Sequence, residues 1–468
     1  MRTFSLALRN LLRNRRRSLT TLLAMVIGLT AILLFGGYRS NITYGIESGF
    51  IQSSGHLQIQ HQNYYLEGGD NPTAYGIPGY QHIIDAVQQD PELAPYLRVV
   101  TPTLQLGGLA GNFAAGISRS VFAVGVVPEQ RSQMEKWNDY GLTSYIKPLQ
   151  LIGTSPDSVM IGDGLARKLK LCKKLQMANC VQTETPVVAA TGPAAPDDIA
   201  ALSDLEQDQA QQNAAPAEKG TRIEMLASTA HGAPNVASLS VISSRNMGIK
   251  ALDDVYLAMH LSQAQKLIYG SNDPQVTAIQ IQLYHTSQIP VVQARLQKLL
   301  AEQFPGQPLE VQDFKTLNPM YGQTAQFMNS MFGFIATLIA VIVLFTIGNT
   351  MSTAVVERTV EIGTLRAMGL RRSGLRYLFL CEGMLLGLIG AAAGVISALC
   401  IAYLINHSGL SWTPPGYSYA YLILVRVWQD PALLVGSVIG LVLVTVISAW
   451  WPANRASKMM IVDALRHV

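Results

Sequence analysis

The stretch VVERTVEIGTLRAMGLRRSGLR, Val355–Arg376, holds seven charges: Glu357, Arg358, Glu361, Arg366, Arg371, Arg372 and Arg376. The runs on either side hold almost none. An ionised side chain at the centre of a bilayer costs roughly 2.5–3.5 kcal/mol on insertion scales. The stretch is therefore excluded from hydrocarbon, while its flanks suit it. That contrast decides the fold: apolar helices crossing lipid, joined here by a charged elbow.

Working outward, the 468-residue chain is 49% hydrophobic and only 14% charged, against about 25% for a soluble domain. About 20 apolar residues at 1.5 Å rise cross a ~30 Å hydrocarbon core, and four segments qualify. They are residues 19–38, 327–351 (inside the charge-free run Thr316–Val356), 375–405 with Glu382 the one charge in its interior, and 432–451. Lys and Arg near span ends set orientation. Arg2, Arg9, Arg13, Arg15, Arg16 and Arg17 precede the first span; Arg358, Arg366, Arg371, Arg372 and Arg376 separate the second and third; Arg455, Lys458 and Arg466 follow the fourth. The loop between the third and fourth, residues 406–431, carries only Arg426. Both termini (1–18, a basic amphipathic helix, and the tail 452–468) and the elbow 352–374 are thus expected in the cytoplasm, with residues 39–326 on the far side. The first span reads as an uncleaved signal anchor, since no small-x-small cleavage site follows it. The RNRRR run beside it reads as a topology determinant meeting anionic lipid headgroups, not as a nucleic-acid patch.

The far-side region reads as mixed α/β. HLQIQ (His56–Gln60), SVFAVGVV (Ser120–Val127) and TAIQIQLY (Thr277–Tyr284) alternate as strands. YQHIIDAVQQ (Tyr80–Gln89), the end of IGDGLARKLKL (Ile161–Leu171) and IPVVQARLQKLLAEQF (Ile289–Phe304) read as helices. The order suggests one module interrupted by another near 129–250. Residues 189–220, rich in Ala, Pro, Gln and Asp, bury too little apolar surface to offset their ordering entropy and read as a mobile loop.

Cys172 and Cys180, eight residues apart on the far side, suit a disulfide closing a short loop; two free thiols is the alternative. Cys381 and Cys400 fall in the third span as packing residues. His56 and His61 would face opposite sides of a strand, which argues against a metal. No P-loop, H-E-x-x-H, G-x-S-x-G or paired zinc cysteines are present, so catalytic residues, a metal and a cofactor held by this chain are not expected. Energy for any work must come from a partner.

In the third span Gly383, Gly387, Gly390 and Gly394 share one helical face, and Gly436 and Gly440 form G-x-x-x-G in the fourth. Such seams let helix backbones approach in lipid, within one subunit or between two. In the elbow, a helix is expected to end near Met368 with Gly369 at its C-cap and Ser373 capping the next span. Glu357 and Glu361 would stack on one face, Arg358 would relieve Glu361, and Ile362 and Leu365 would form an apolar ridge beside them. Glu382 would snorkel from near Arg376. This surface fits either docking to a basic partner or a solvated charged loop.

ERTVEIGTLRAMGLRRSGL resembles the cytoplasmic elbow of the FtsX/MacB-like permeases of ABC transporters, E-R-x-x-E-I-G-x-x-x-A-x-G. The matching positions are Glu357, Arg358, Glu361, Ile362, Gly363, Ala367 and Gly369. LALRNLLRNRRRSLTTLLA (Leu6–Ala24), VMIGDGLARKLKL (Val159–Leu171) and WPANRASKMMIVDALRH (Trp451–His467) are similar to further parts of that family. The resemblance implies a four-helix inner-membrane permease of a Gram-negative bacterium, with one large MacB-like periplasmic core between the first two helices. It implies a dimer with itself or a sister subunit, and separate ATPase subunits that bind ATP and Mg. Glu357, Arg358, Glu361, Ile362, Gly363, Leu365, Arg366, Ala367 and Gly369 would then form the ATPase-coupling helix. LKLCKKLQMANCV departs from the family's LGLKVGDTV-like segment, so the substrate-facing module is specialised. With no ATPase fused to it, the organisation is nearest to the lipoprotein-releasing (Lol-type) permeases. The leading expectation is extraction or export of a lipoprotein or other amphiphile, with membrane lipids, a periplasmic adaptor and an outer-membrane component as further partners. The alternative is an FtsX-like signal transducer activating a periplasmic cell-wall enzyme.

Overall fold

The computed structural model describes residues 15–69, 71–142, 149–177, 221–413, 416–418 and 420–460. The basic N-terminal segment before Arg15, Cys180, the 189–220 loop and the tail beyond residue 460 lie outside the described residues. In chain order the elements used below begin with α1 (Arg15–Ser54), β1 (Leu57–His61), α2 (Tyr80–Gln89), β2 (Leu97–Asn112), β3 (Ile117–Val126), α3 (Pro128–Glu135), β4 (Ser158–Gly162) and α4 (Asp163–Lys168). They continue with β5 (Thr221–Ser228), β6 (Pro234–Arg245), β7 (Tyr256–His260), α5 (Leu261–Tyr269), β8 (Ala278–Leu283), α6 (Ile289–Gln303) and β9 (Leu309–Asp313). The chain closes with α7 (Pro319–Glu357), α8 (Thr359–Ala367), α9 (Arg372–His407), β10 (Ser411–Trp412), β11 (Tyr421–Leu422) and α10 (Pro431–Lys458). Two units result: a helical one (Met1–Glu47, Pro319–Trp412, Tyr421–Val468) and an α/β one (Ser48–Asn318, Thr413–Ala420).

In the helical unit, α1, α7, α9 and α10 are long and apolar enough to cross a membrane. Two of them are much longer than a bilayer needs. α1 has 40 residues and α7 has 39, about 60 Å each at 1.5 Å per residue. The apolar stretches 19–38 and 327–351 are therefore parts of longer rods. α1 contains no proline, and the residue that follows it, Gly55, is left-handed with φ 79°; Pro319 supplies a first-turn residue that needs no amide donor at the start of α7. Beyond their apolar parts the two rods are tied by the Tyr321 hydroxyl, which donates to Glu47 at 2.6 Å. Nearer the other end Thr21 donates to Thr350 at 3.1 Å. Between them Met25, Leu29 and Leu33 of α1 pack with Val343, Ile347 and Met351 of α7 and Leu386, Ala391 and Ala398 of α9.

The α/β unit is built on one nine-stranded sheet in the order β3-β7-β4-β6-β5-β2-β8-β1-β9. The 16-residue β2 serves both halves. Its first part, Leu97–Thr103, pairs antiparallel with β8; from Leu104 onward it pairs with β3. One half holds β1, β8 and β9, contributed from before and after the other half. That other half includes β3, which runs parallel to β7, so the second module is wider than 129–250 at both ends. Its β5 alternates buried and exposed along its whole length, as a strand with one covered face must.

A buried side chain distant in sequence completes the turn before α4. Asp253, fully buried, accepts the amides of Asp163 at 3.0 Å and Gly164 at 2.8 Å and pairs with Arg167 at 3.4 Å. It thereby satisfies first-turn donors that the helix leaves open.

Part of the loop between α9 and α10 also belongs to the α/β unit. Lys250 donates its amide to the Gly416 carbonyl and Ser418 donates its amide to that of Gly248, each at 2.9 Å. The Ser418 hydroxyl lies 2.8 Å from the Asn246 side-chain oxygen. Either side of this strap, Ser411–Trp412 and Tyr421–Leu422 close a two-stranded hairpin in the helical unit.

The charged elbow as candidate functional site

The elbow is a corner and a short helix, not the continuous helix expected from the spacing. α7 ends at Glu357, and Arg358 leaves helical geometry with φ −97° and ψ 15°. α8 then runs to Ala367 and closes on a glycine: the amide of Gly369 donates to the Arg366 carbonyl at 3.0 Å and that of Leu370 to Leu365 at 3.1 Å. Gly369 has φ 95°, the left-handed conformation this paired closure requires. The N-cap of α9 is Arg371, so Ser373 sits inside the first turn and does not cap it.

Arg358 is buried and points at the third span. Its Nη1 lies 3.1 Å from Glu382 Oε1, with the two side chains 9% and 4% exposed. This corrects the expectation that Glu382 snorkels beside Arg376. Arg376 donates instead to the Ser457 hydroxyl at 3.0 Å. Removing one member of such a buried pair leaves the other without its partner and costs about 3–5 kcal/mol.

Ile362 is likewise not part of an exposed ridge. It is buried with Val355, Leu375, Phe379, Ala453 and Ala456, and Gly363 is buried beside it, whereas Leu365 and Arg366 are half-buried. The Arg366 guanidinium donates to the Met459 carbonyl. The outward side of the elbow carries Glu357, Glu361, Thr364 and Ala367, together with Val356 (72% exposed), Val360 (47%) and Met368 (72%). The exposed apolar surface beside the two carboxylates is therefore made by Val356, Val360 and Met368, residues that the periodicity argument did not select.

Gly383, Gly387, Gly390 and Gly394 of α9 are all buried, but they meet two different helices. A Cβ on Gly383 would lie 2.8 Å from the Ala449 methyl, and one on Gly387 would collide with Thr445, both on α10. Cβ atoms on Gly390 and Gly394 would lie 3.1 Å from Met25 and 3.0 Å from Leu29 of α1. Gly436 and Gly440 face open space within this chain. Cys172 is buried, and its pairing with Cys180 falls outside the described residues. Among the described residues no group of three or more His, Cys, Asp or Glu could hold a metal ion.

Residues 333–461, which contain the elbow, match the FtsX-like permease C-terminal family. The chain therefore carries an FtsX-like permease domain. It is similar to the ABC transporter permease YtrF of Bacillus subtilis, 36% identical over 146 residues that make 29% of this chain and 30% of that protein. It is also similar to the lipoprotein-releasing system transmembrane protein LolC of Neisseria meningitidis, 24% identical over 243 residues, 50% of this chain and 56% of LolC. The chain thus spans from under a third to just over half of the length of these relatives. Among solved structures, the periplasmic region of MacB from Actinobacillus actinomycetemcomitans aligns over 58% of this chain and 94% of its own, at 12% identity and a TM-score of 0.32. The extracellular domain of the noncanonic ABC-type transporter YknZ aligns over 55% and 99%, at 12% identity and a TM-score of 0.28.

Proposed function

We propose that this chain is the permease subunit of an ABC transporter in an inner membrane, with both termini and the elbow in the cytoplasm and the α/β unit in the periplasm. Two permease subunits, identical or sister, stand over two separate ATPase subunits, and the exposed side of α8 seats in the ATPase. The observation that carries this reading is the elbow's outward surface: Glu357 and Glu361 beside exposed Val356, Val360 and Met368, on a helix whose other side is packed against α9 and α10. Carboxylates ringed by apolar contacts suit a basic groove, where charge sets the partner and buried side chains hold it. ATP bound and spent below would move the α/β units above, and the apolar spans need carry no hydrophilic route. The cargo that best suits such a machine is a lipoprotein or similar amphiphile taken from the outer leaflet, as the name of the LolC relative suggests.

The test is affinity purification of the chain from native membranes, with and without Glu361→Arg. The unaltered chain should bring down an ATPase with an active nucleotide site, and the reversal should reduce its recovery at least about tenfold. Equal recovery with both would sink the coupling role. Co-purifying lipoproteins would support extraction, whereas a cell-wall hydrolase in their place would refute it.

A further inference from the structure

We infer that Arg358 and Glu382 are positioning residues that make the elbow and the third span move as one body; this rests on the reading of α8 as the ATPase contact. The elbow has two sides of different character. Arg358, Ile362 and Arg366 follow one another at four-residue steps, which places them on one face. Each is held to the rest of the helical unit: Arg358 to Glu382 at 3.1 Å, Ile362 in the cluster with Leu375, Phe379 and Ala453, and Arg366 to the Met459 carbonyl. The opposite side, with Val360, Glu361, Thr364 and Met368, is exposed.

Besides the chain itself, three inner attachments carry a push on that exposed side to the membrane helices, and they differ in kind. Packing of Ile362 can slide, and the Arg366 contact ends at a chain segment beyond the last turn of α10. The ion pair is directional and lies at the corner itself, where the backbone leaves α7. It reaches a carboxylate ten residues inside α9, about 15 Å along its axis. Both side chains are more than nine-tenths buried, so water cannot easily replace a lost partner, and the corner cannot swing away from α9 without separating them. A rigid corner is what converts a displacement of α8 into a displacement of α9.

The prediction is read on the full chain in inverted membrane vesicles, in a background lacking Cys381 and Cys400. Ile362→Cys reports the seating of α8 through labelling by a bulky maleimide, with exposed Thr364→Cys as the reactive control. With the pair intact Ile362→Cys should be protected. Arg358→Gln or Glu382→Gln should raise its labelling rate about tenfold or more, and the exchange Arg358→Glu with Glu382→Arg should return it towards the parent. If the single variants fail to insert, Arg358→Lys and Glu382→Asp are read in the same assay and should fall between. Protection in every variant would overturn the inference, as would loss of protection that the charge exchange does not reverse. The second readout is ATP hydrolysis by complexes isolated with each variant: kcat should change several-fold with KM for ATP unchanged, and the exchange should reverse it. A lower yield of complexes that turn over normally would mean a role in folding alone and would also overturn the inference. If no ATPase accompanies even the parent chain, the permease reading fails while the labelling result still decides whether the pair seats α8.

Discussion

At the scale of single residues, two buried titratable side chains are accommodated in opposite ways. Arg358 meets the Glu382 carboxylate at 3.1 Å; His56 stays neutral. The His56 side chain is fully buried, its Nδ1 accepts the Leu283 amide at 3.0 Å, and its ring stands edge-on to Trp137 at 5.0 Å. Burial pushes its pKa from 6.5 down to about 3. Between those values the unfolded chain takes up a proton that the native chain refuses. Stability is therefore complete above pH about 6.5 and falls on acidification towards pH about 3, by roughly 1.4 kcal/mol per pH unit. Tryptophan fluorescence during urea unfolding of the detergent-purified chain, followed from pH 7.5 to 5, should show this slope. His56→Gln, which can still accept the Leu283 amide, should lower it by about one proton. An unchanged slope would show that His56 is not its source.

At the scale of elements, helix spacing located glycine faces without saying which neighbour each meets. Gly383 and Gly387 admit α10, whereas Gly390 and Gly394 admit α1, because α9 lies between two partners and one row of small residues serves both in turn. Gly383→Val should therefore loosen the α9–α10 contact by about 1–3 kcal/mol, the usual cost of overfilling a packed site. Gly436→Val, with nothing within 4 Å of its Cβ position, should leave the isolated chain unaffected. Thermal unfolding of the detergent-purified variants separates the two, and equal midpoints would contradict the seam. Regular elements with clear periodicity were the most legible: Tyr80–Gln89 is the helix its sequence describes, and Ile289–Gln303 nearly so. β2 was not legible, because Pro102 and its Gly107–Gly108 pair look like breakers. Pro102 sits near the end of the β8 pairing, just before β2 changes its partner strand to β3, and Gly108 admits the Leu226 carbonyl, which a Cβ would meet at 2.7 Å.

At the scale of the whole molecule, the loop between the last two spans is also part of the α/β unit. The strap at Gly416–Ser418 is bonded within that unit to residues 248–250. The amides of Ser418 and Lys250, both bonded across the strap, should exchange slowly with deuterium. Ser418→Ala removes the hydroxyl contacts to Asn246 and Gly248, worth about 1 kcal/mol, and should speed exchange at both amides about fivefold. Unaltered exchange would show that the backbone pairs alone hold the strap. No pattern in residues 413–420 points to this tie, since it consists of backbone groups and one serine hydroxyl meeting a segment some 170 residues earlier.

Charge and hydropathy, properties carried by each residue whatever its neighbours, were enough to locate four apolar spans, the excluded elbow and an α/β region between the first two. A charged residue cannot enter lipid unaided, and a run of twenty apolar residues finds no better solvent. Tertiary structure alone decided who meets whom. It brought Arg358 to Glu382, buried Ile362, divided the glycines between two helices and set Asp253 at the start of α4. Each of these depends on the distance between residues far apart in the chain, which local spacing does not encode.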